Sequence, residues 1–243
     1  MVVDKKKKAH SSTYFIESIN KDLPSVTTIL GQLDKSGPLM GWAVKITVGY
    51  IASKLDEIRA GTLELTENNA SMFLKEAKKQ HKELKEKSAE LGSEVHNLIE
   101  VYLKNQNIAG LLSGNPKLVI PFEAFKNWQS TYKFKLVNSE HIVWSIDGFA
   151  GTLDCVAELN GKLYLVDFKT SNAIYDEYIM QVAAYAHAYE ERTGLKFAGW
   201  GILRLGKEDG LSEWREISKA EIDHAYKMFV CLKDFWTIKK KGL

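Results

Sequence analysis

Cysteine is scarce in this chain. Its 243 residues contain two, Cys155 and Cys231, enough for at most one disulfide. A disulfide-framed secreted scaffold is therefore excluded, and the chain reads as reduced and intracellular. Two cysteines also cannot supply the four thiolates of an iron–sulfur cluster, so none is expected. Long apolar runs are missing as well. None approaches the roughly 18 residues that would span a membrane, so no membrane partner is expected. The opening "MVVDKKKKAHSS" lacks an apolar stretch after its lysines and does not read as a secretory leader. With an Asp and no Arg, it does not read as a mitochondrial transit peptide either. Strong charge of one sign is absent too: the formal net charge is +2, so any anionic partner must be sought in local clusters. Two catalytic motifs fail. "GILRLGKE" at 201–208 has P-loop spacing, but Glu208 stands where a Ser or Thr must hold magnesium, and Ile-Leu-Arg-Leu reads as a strand. No nucleotide cofactor is expected. No nucleophile elbow is present, which excludes the usual serine hydrolase arrangement.

What is present is ordinary in bulk. Hydrophobic residues make up 45% and charged residues 26%, as in a soluble globular protein. The length suits one large domain, or a core domain with an appended helical part. Residues 1–21 read as a flexible basic N-terminus, with the lysine runs at both ends as solvated tails. Residues 22–130 read as helical. Ser25 is the expected N-cap of a first helix, "DKSGP" breaks the chain, and Pro38 is expected to open a second helix that ends near Gly61. A lysine-rich helix follows from Thr66 and Glu67, with a break possible near Gly92, and "SGNP" at 113–116 is expected to be a loop before "PFEAFKNWQSTYKF".

From Lys135 the period changes to two. "KLVNSEHIVWSI", "FAGTLDCVAEL" and "KLYLVDFKT" read as three strands joined at Asp147-Gly148 and Asn160-Gly161, dipeptides that tolerate positive φ. A helix over "YDEYIMQVAAYAHAYEERTG" should stop at Gly194, followed by strands near 197–205 and 211–217 and a final helix from Ser218. This predicts an α/β core at 131–243, a mixed sheet flanked by helices, with the helical region 22–130 arching over it.

The second hairpin carries an unfavourable pairing. Asp154 and Asp167 are each the sixth residue out from the Asn160-Gly161 turn, so a regular hairpin places them opposite one another on one face. Lys169 points to the same face. Like charges so placed repel, and burial makes the repulsion worse. One reading is a structural salt bridge, with Lys169 neutralising the pair. The other is that the pair holds a divalent cation, which takes clustered hard oxygen ligands, beside a lysine that orients or deprotonates an attacking water. That combination suits phosphodiester cleavage. Counted the same way, a two-residue turn at Asp147-Gly148 places His141 opposite Asp154; a bulge would bring Glu140 there instead.

"GTLD" ahead of "DFK", followed by "QVAAY", resembles the PD-(D/E)XK nuclease superfamily in its RecB-like exonuclease branch. The wording of "GFAGTLDCVAELNGKLYLVDFKTS" is most similar to mitochondrial genome maintenance exonucleases and related phage exonucleases. Looser similarity extends to "LGSEVH" and "PSVTTIL". Leu153 stands where the superfamily name has Pro, a departure usual in this branch.

The resemblance implies a restriction-endonuclease-like core and a Mg²⁺- or Mn²⁺-dependent deoxyribonuclease. Its metal ligands would be His96, Asp154, Asp167 and the main-chain carbonyl of Phe168, with Glu140 as a further acidic residue. Lys169 would position water and stabilise phosphate charge, while Gln181 and Tyr185 orient the lysine and the substrate strand. The implied substrate is single-stranded DNA with a free end, the implied setting DNA replication, recombination or repair beside proteins of those processes. The implied location is the cytoplasm of a bacterial or phage-infected cell. A structure-specific or restriction-like endonuclease remains an alternative, as does a metal-stabilised DNA-binding protein without turnover. In the helical region, Lys75, Lys78, Lys79, Lys82 and Lys85 recur at helical spacing and could track phosphates, although interspersed glutamates fit a solvated face equally well. Trp42 and Tyr50 could stack on bases, with helix packing as the simpler role.

Overall fold

The computed structural model describes residues 5–6 and 13–242. The chain begins with a small antiparallel sheet of β1 (Lys5–Lys6), β2 (Thr13–Ile16) and β3 (Lys21–Pro24). Residues 13–21 are thus structured, where the sequence alone suggests a flexible terminus. Period-two burial explains the difference, because Tyr14 and Ile16 point inward and pack with Leu23 and Ala150. The rest of the N-terminal lysine run lies outside the described residues.

Helices α1 (Val26–Leu30), α2 (Ser36–Arg59), α3 (Glu67–Leu103), α4 (Ala109–Gly114) and α5 (Val119–Ser130) follow. Ser25 caps α1 as its sequence suggests, its hydroxyl accepting from the Thr28 amide at 3.0 Å. Pro38 lies in the first turn of α2, where no intrahelical donor is lost. Helix α3 runs through Gly92 without a break, a cost of only about 1 kcal/mol for one helical glycine. The short α4, ending at Gly114, takes up the first half of the expected "SGNP" loop.

Next come β4 (Phe134–Ser145), β5 (Phe149–Leu159), β6 (Lys162–Lys169), α6 (Asp176–Thr193), β7 (Gly199–Leu205), β8 (Ser212–Ile217) and α7 (Lys219–Lys241). The last five strands form one sheet in the order β4-β5-β6-β7-β8. Only β6 and β7 are parallel, joined through α6, so the sheet is mixed as expected. Gly194 ends α6 at φ 71°, and Ser218 opens α7 with a reciprocal capping box to Glu221. Helices flank the sheet. Phe125 of α5 meets Phe168 edge-on at 5.6 Å, Phe229 of α7 meets Phe149 at 4.9 Å, and α6 is buried along most of its length.

Two compact units result: residues 33–93, and the sheet-bearing remainder with residues 1–32 and 94–243. The N-terminal strands β2 and β3 and helix α1 pack against β5, and α5 packs against β7 and β8. The 33–93 unit is helical. Within it, the Tyr50 hydroxyl donates to Glu76 at 2.5 Å, joining α2 to α3.

Candidate active site

The two central hairpins place the site. Between β5 and β6 the turn is the tight two-residue one, with Asn160 at φ 53° and Gly161 at φ 81°, and Leu159 pairs with Lys162. The register runs as counted from the sequence up to Cys155–Val166, and there the ladder ends. Beyond it β5 stays paired with β4 as far as Phe149, while β6 stays paired with β7 as far as Lys169. The strands part at Asp154 and Asp167. The expected direct cross-strand carboxylate pair is thus replaced by two separate environments in one wedge, which relieves the like-charge repulsion.

Asp154 is the hub. Its Oδ2 accepts the Phe168 amide at 2.7 Å, and its Oδ1 lies 3.4 Å from His96 Nδ1. In a strand, N–H and C=O of one residue leave on the same edge, so the Phe168 carbonyl is directed to this wedge too. Between β4 and β5 the loop has three residues rather than two, with Ser145 pairing Phe149 and Gly148 at φ 88°. That one extra residue shifts the register. His141 pairs Leu153 and Ser139 pairs Cys155, so Glu140, not His141, stands opposite Asp154. The rescue comes from the turn; the bulge in this ladder lies further off, between Leu136 and Asn138. Glu140 holds φ 47°, a left-handed conformation that a long side chain rarely adopts and that costs of order 1–3 kcal/mol.

His96, Glu140 and Asp154 each bring one ligand atom within 4.8 Å of the others. Two hard carboxylates and a borderline imidazole form a donor set compatible with a divalent cation. The electrostatics fit the same use. Burial, then the charge of Asp154, raise Glu140 to about 7. Burial would also raise Asp154, but His96, Lys169 and the Phe168 amide together hold it below the usual carboxylate value. Burial would lower His96, and the charge and hydrogen bond of Asp154 outweigh it.

Asp167 lies outside this triad. It is 2% exposed, and its carboxylate pairs with the Lys169 ammonium at 2.5 Å. Neither of its oxygens otherwise accepts a hydrogen bond among the described residues, which leaves buried acceptor capacity facing the wedge. Burial raises Asp167 to about 6, against the pull of Lys169. Burial would lower Lys169, but Asp167 and Asp154 hold its pKa above the usual lysine value. Lys169 is therefore held as a charged donor here, suited to stabilising negative charge.

Gln181 and Tyr185 are brought together as expected, with the Gln181 amide donating to the Tyr185 hydroxyl at 3.1 Å. Tyr185 is 5% exposed, so α6 is not a surface helix with a polar stripe. A Cβ on Gly151 would sit 2.4 Å from the Tyr185 ring, which explains why glycine occupies this position near the start of β5. Two neighbours escape sequence reasoning. Tyr178, one turn before Gln181, carries Lys169 Nζ 5.0 Å from its ring centre, and the Tyr14 hydroxyl bonds Thr152 Oγ1 at 3.0 Å. Spacing of three along α6 could have revealed the first; the second depends on a hairpin distant in sequence.

The remaining candidates lie in the 33–93 unit. Lys75, Lys78, Lys79, Lys82 and Lys85 are exposed on α3, with Lys82 3.9 Å from Glu86, and Trp42 is half-buried on α2. The Tyr50 hydroxyl donates to Glu76, in keeping with the helix-packing role.

No protein-family model and no curated protein matches the chain. Among solved structures, a protein of Eubacterium rectale described as "Putative exonuclease" shares 12% identity at a TM-score of 0.42, over 58% of this chain and 64% of that one. The protein SSO0001 shares 13% identity at a TM-score of 0.28, over 58% and 72%. At this level of likeness, function must be read from the site's own residues.

Proposed function

We propose that this chain is a divalent-metal-dependent deoxyribonuclease, acting as an exonuclease on single-stranded DNA with a free end. The observation that carries the reading is the convergence of His96, Glu140 and Asp154 beside the Asp167–Lys169 pair where β5 and β6 part. In this reading His96, Glu140 and Asp154 hold the cation, with the Phe168 carbonyl and Asp167 at the same wedge. When bound, a divalent cation supplies a polarised phosphoryl oxygen and a more acidic water. Asp154 fixes the imidazole orientation through its contact with Nδ1 and is itself fixed by the Phe168 amide. Lys169, held charged by Asp167, donates toward the phosphate as negative charge grows there. Gln181 and Tyr185 position the lysine side of the site and the incoming strand. Replication, recombination or repair is the corresponding setting.

A purely structural role has one specific observation in its favour, the short Asp167–Lys169 ion pair. It leaves the left-handed Glu140 and the three converging ligand atoms without a reason, and strained residues of this kind cluster at functional sites. The test of the exonuclease assignment uses one sequence in two forms, linear single strands and covalently closed circles, with Mg²⁺ or Mn²⁺. The expected result is degradation of the linear form to short oligonucleotides while circles persist. Efficient nicking of circles would replace the assignment by an endonuclease.

A further inference from the structure

We propose that Tyr175 and Tyr178 form a stacking platform for one base of a single DNA strand, next to the phosphate held at Lys169. The inference deepens the nuclease reading and rests on it for the nature of the ligand. Tyr175 is the residue that enters α6, with extended backbone and no capping hydrogen bond from its side chain. It is 46% exposed. Its ring meets that of Tyr178 edge-to-face, with centroids 5.5 Å apart at 76°, and the Tyr178 ring in turn lies 5.0 Å from Lys169 Nζ. The aromatic pair is therefore continuous with the reactive lysine. Among the described residues neither phenol hydroxyl has a hydrogen-bond partner, so the rings are not held there by a polar contact of their own.

Charge decides what such a platform would take. Asp176 and Glu177 open the same helix turn and disfavour a phosphate there. Lys169 favours one. A strand laid across both features therefore sets its phosphate at Lys169 and turns a base, whose π-face carries no charge, onto the tyrosines. Stacking of this kind tolerates any base, because every base offers a π-face. It also gives the lysine a fixed distance to the phosphate, since the flanking base is held.

The experiment measures binding of the full chain, with Ca²⁺ present, to a labelled thymidine dodecamer and to an abasic strand of the same length. The wild-type chain should bind the thymidine strand about tenfold more tightly than the abasic one. Tyr175→Ala should bring that ratio close to one without weakening abasic binding, and Tyr175→Trp should restore it. Tyr178→Leu should also reduce the ratio. A wild-type ratio near one, or a ratio unchanged in Tyr175→Ala, overturns the platform. Base-dependent binding without any hydrolysis would support the platform while removing the nuclease reading. Hydrolysis with an unchanged ratio in Tyr175→Ala would do the reverse.

Discussion

At the scale of single residues, the site is a problem of charge resolved by geometry. Glu140 is the most telling position, because it combines a left-handed backbone with a carboxylate raised to about 7 by burial and by Asp154. A carboxylate whose folded pKa lies above its unfolded value favours folding fully below about 4.5. That contribution is lost as pH rises through about 7. Metal-free protein should accordingly lose stability across this window, with Asp167 adding to the loss between about 3.8 and 6. A cation must displace the Glu140 proton, so its affinity should fall by up to about tenfold per pH unit below 7. Glu140→Gln should stabilise the metal-free chain by about 1–3 kcal/mol at pH 8 and by nothing at pH 4, while abolishing the thermal shift caused by Mn²⁺. Melting curves with and without Mn²⁺ at the two pH values check both halves; an unchanged Mn²⁺ shift would remove Glu140 from the ligand set. For Lys169 the expected outcome is at least a hundredfold loss of rate in Lys169→Ala with Mn²⁺ binding retained. Lys169→Arg should be poor as well, because a planar guanidinium cannot replace a compact ammonium seated between Asp167 and Tyr178. Near-normal turnover in either variant would contradict the role.

At the scale of elements, legibility in the sequence depends on the range of the forces involved. The Asn160-Gly161 hairpin, α6 with its Gly194 stop, and the Ser218 cap can all be read, because local turn and cap chemistry sets them. Asp154, Asp167 and Lys169 can be named from the same hairpin count, whereas Gln181 and Tyr185 are named only through the family resemblance. The Asp147-Gly148 hairpin reads one residue short, because sequence does not distinguish a two-residue loop from a three-residue loop closed by Gly148, and that residue exchanges His141 for Glu140. The parting of β5 from β6 is not legible at all. It arises from competition between strands, with β4 and β7 each retaining a partner beyond Val166. Tyr14 reads as part of a tail because its partners Thr152 and Ala150 lie far along the chain. Element packing also yields a test. Gly151→Ala places a Cβ against the Tyr185 ring and should cost about 1–3 kcal/mol as an overpacked core. It should also break the Gln181–Tyr185 bond and slow cleavage. Tyr185→Phe should keep the fold and isolate the hydroxyl's share; equal rates for Gly151→Ala and wild type would dismiss Tyr185 as a positioning residue.

At the scale of the molecule, His96, Glu140, Asp154 and Lys169 lie in the sheet-bearing unit, and the exposed lysines of α3 lie in the 33–93 unit. If those lysines track phosphates, replacing Lys75, Lys78, Lys79 and Lys82 with Gln should weaken binding to all DNA sequences alike. The slope of log affinity against log salt should become shallower by up to about 0.7 for each single-strand phosphate no longer neutralised. A solvated face would leave the slope unchanged. The proposed activity requires a cation held by His96, Glu140 and Asp154. The most direct measurement is release of acid-soluble nucleotides from linear single-stranded DNA, by the wild-type chain and by Asp154→Asn, each with Mg²⁺, with Mn²⁺ and with a chelator. Release by the wild-type chain with metal alone, and none by Asp154→Asn under any condition, is the predicted result. No release by the wild-type chain with either metal, or equal release by the two proteins, would contradict it.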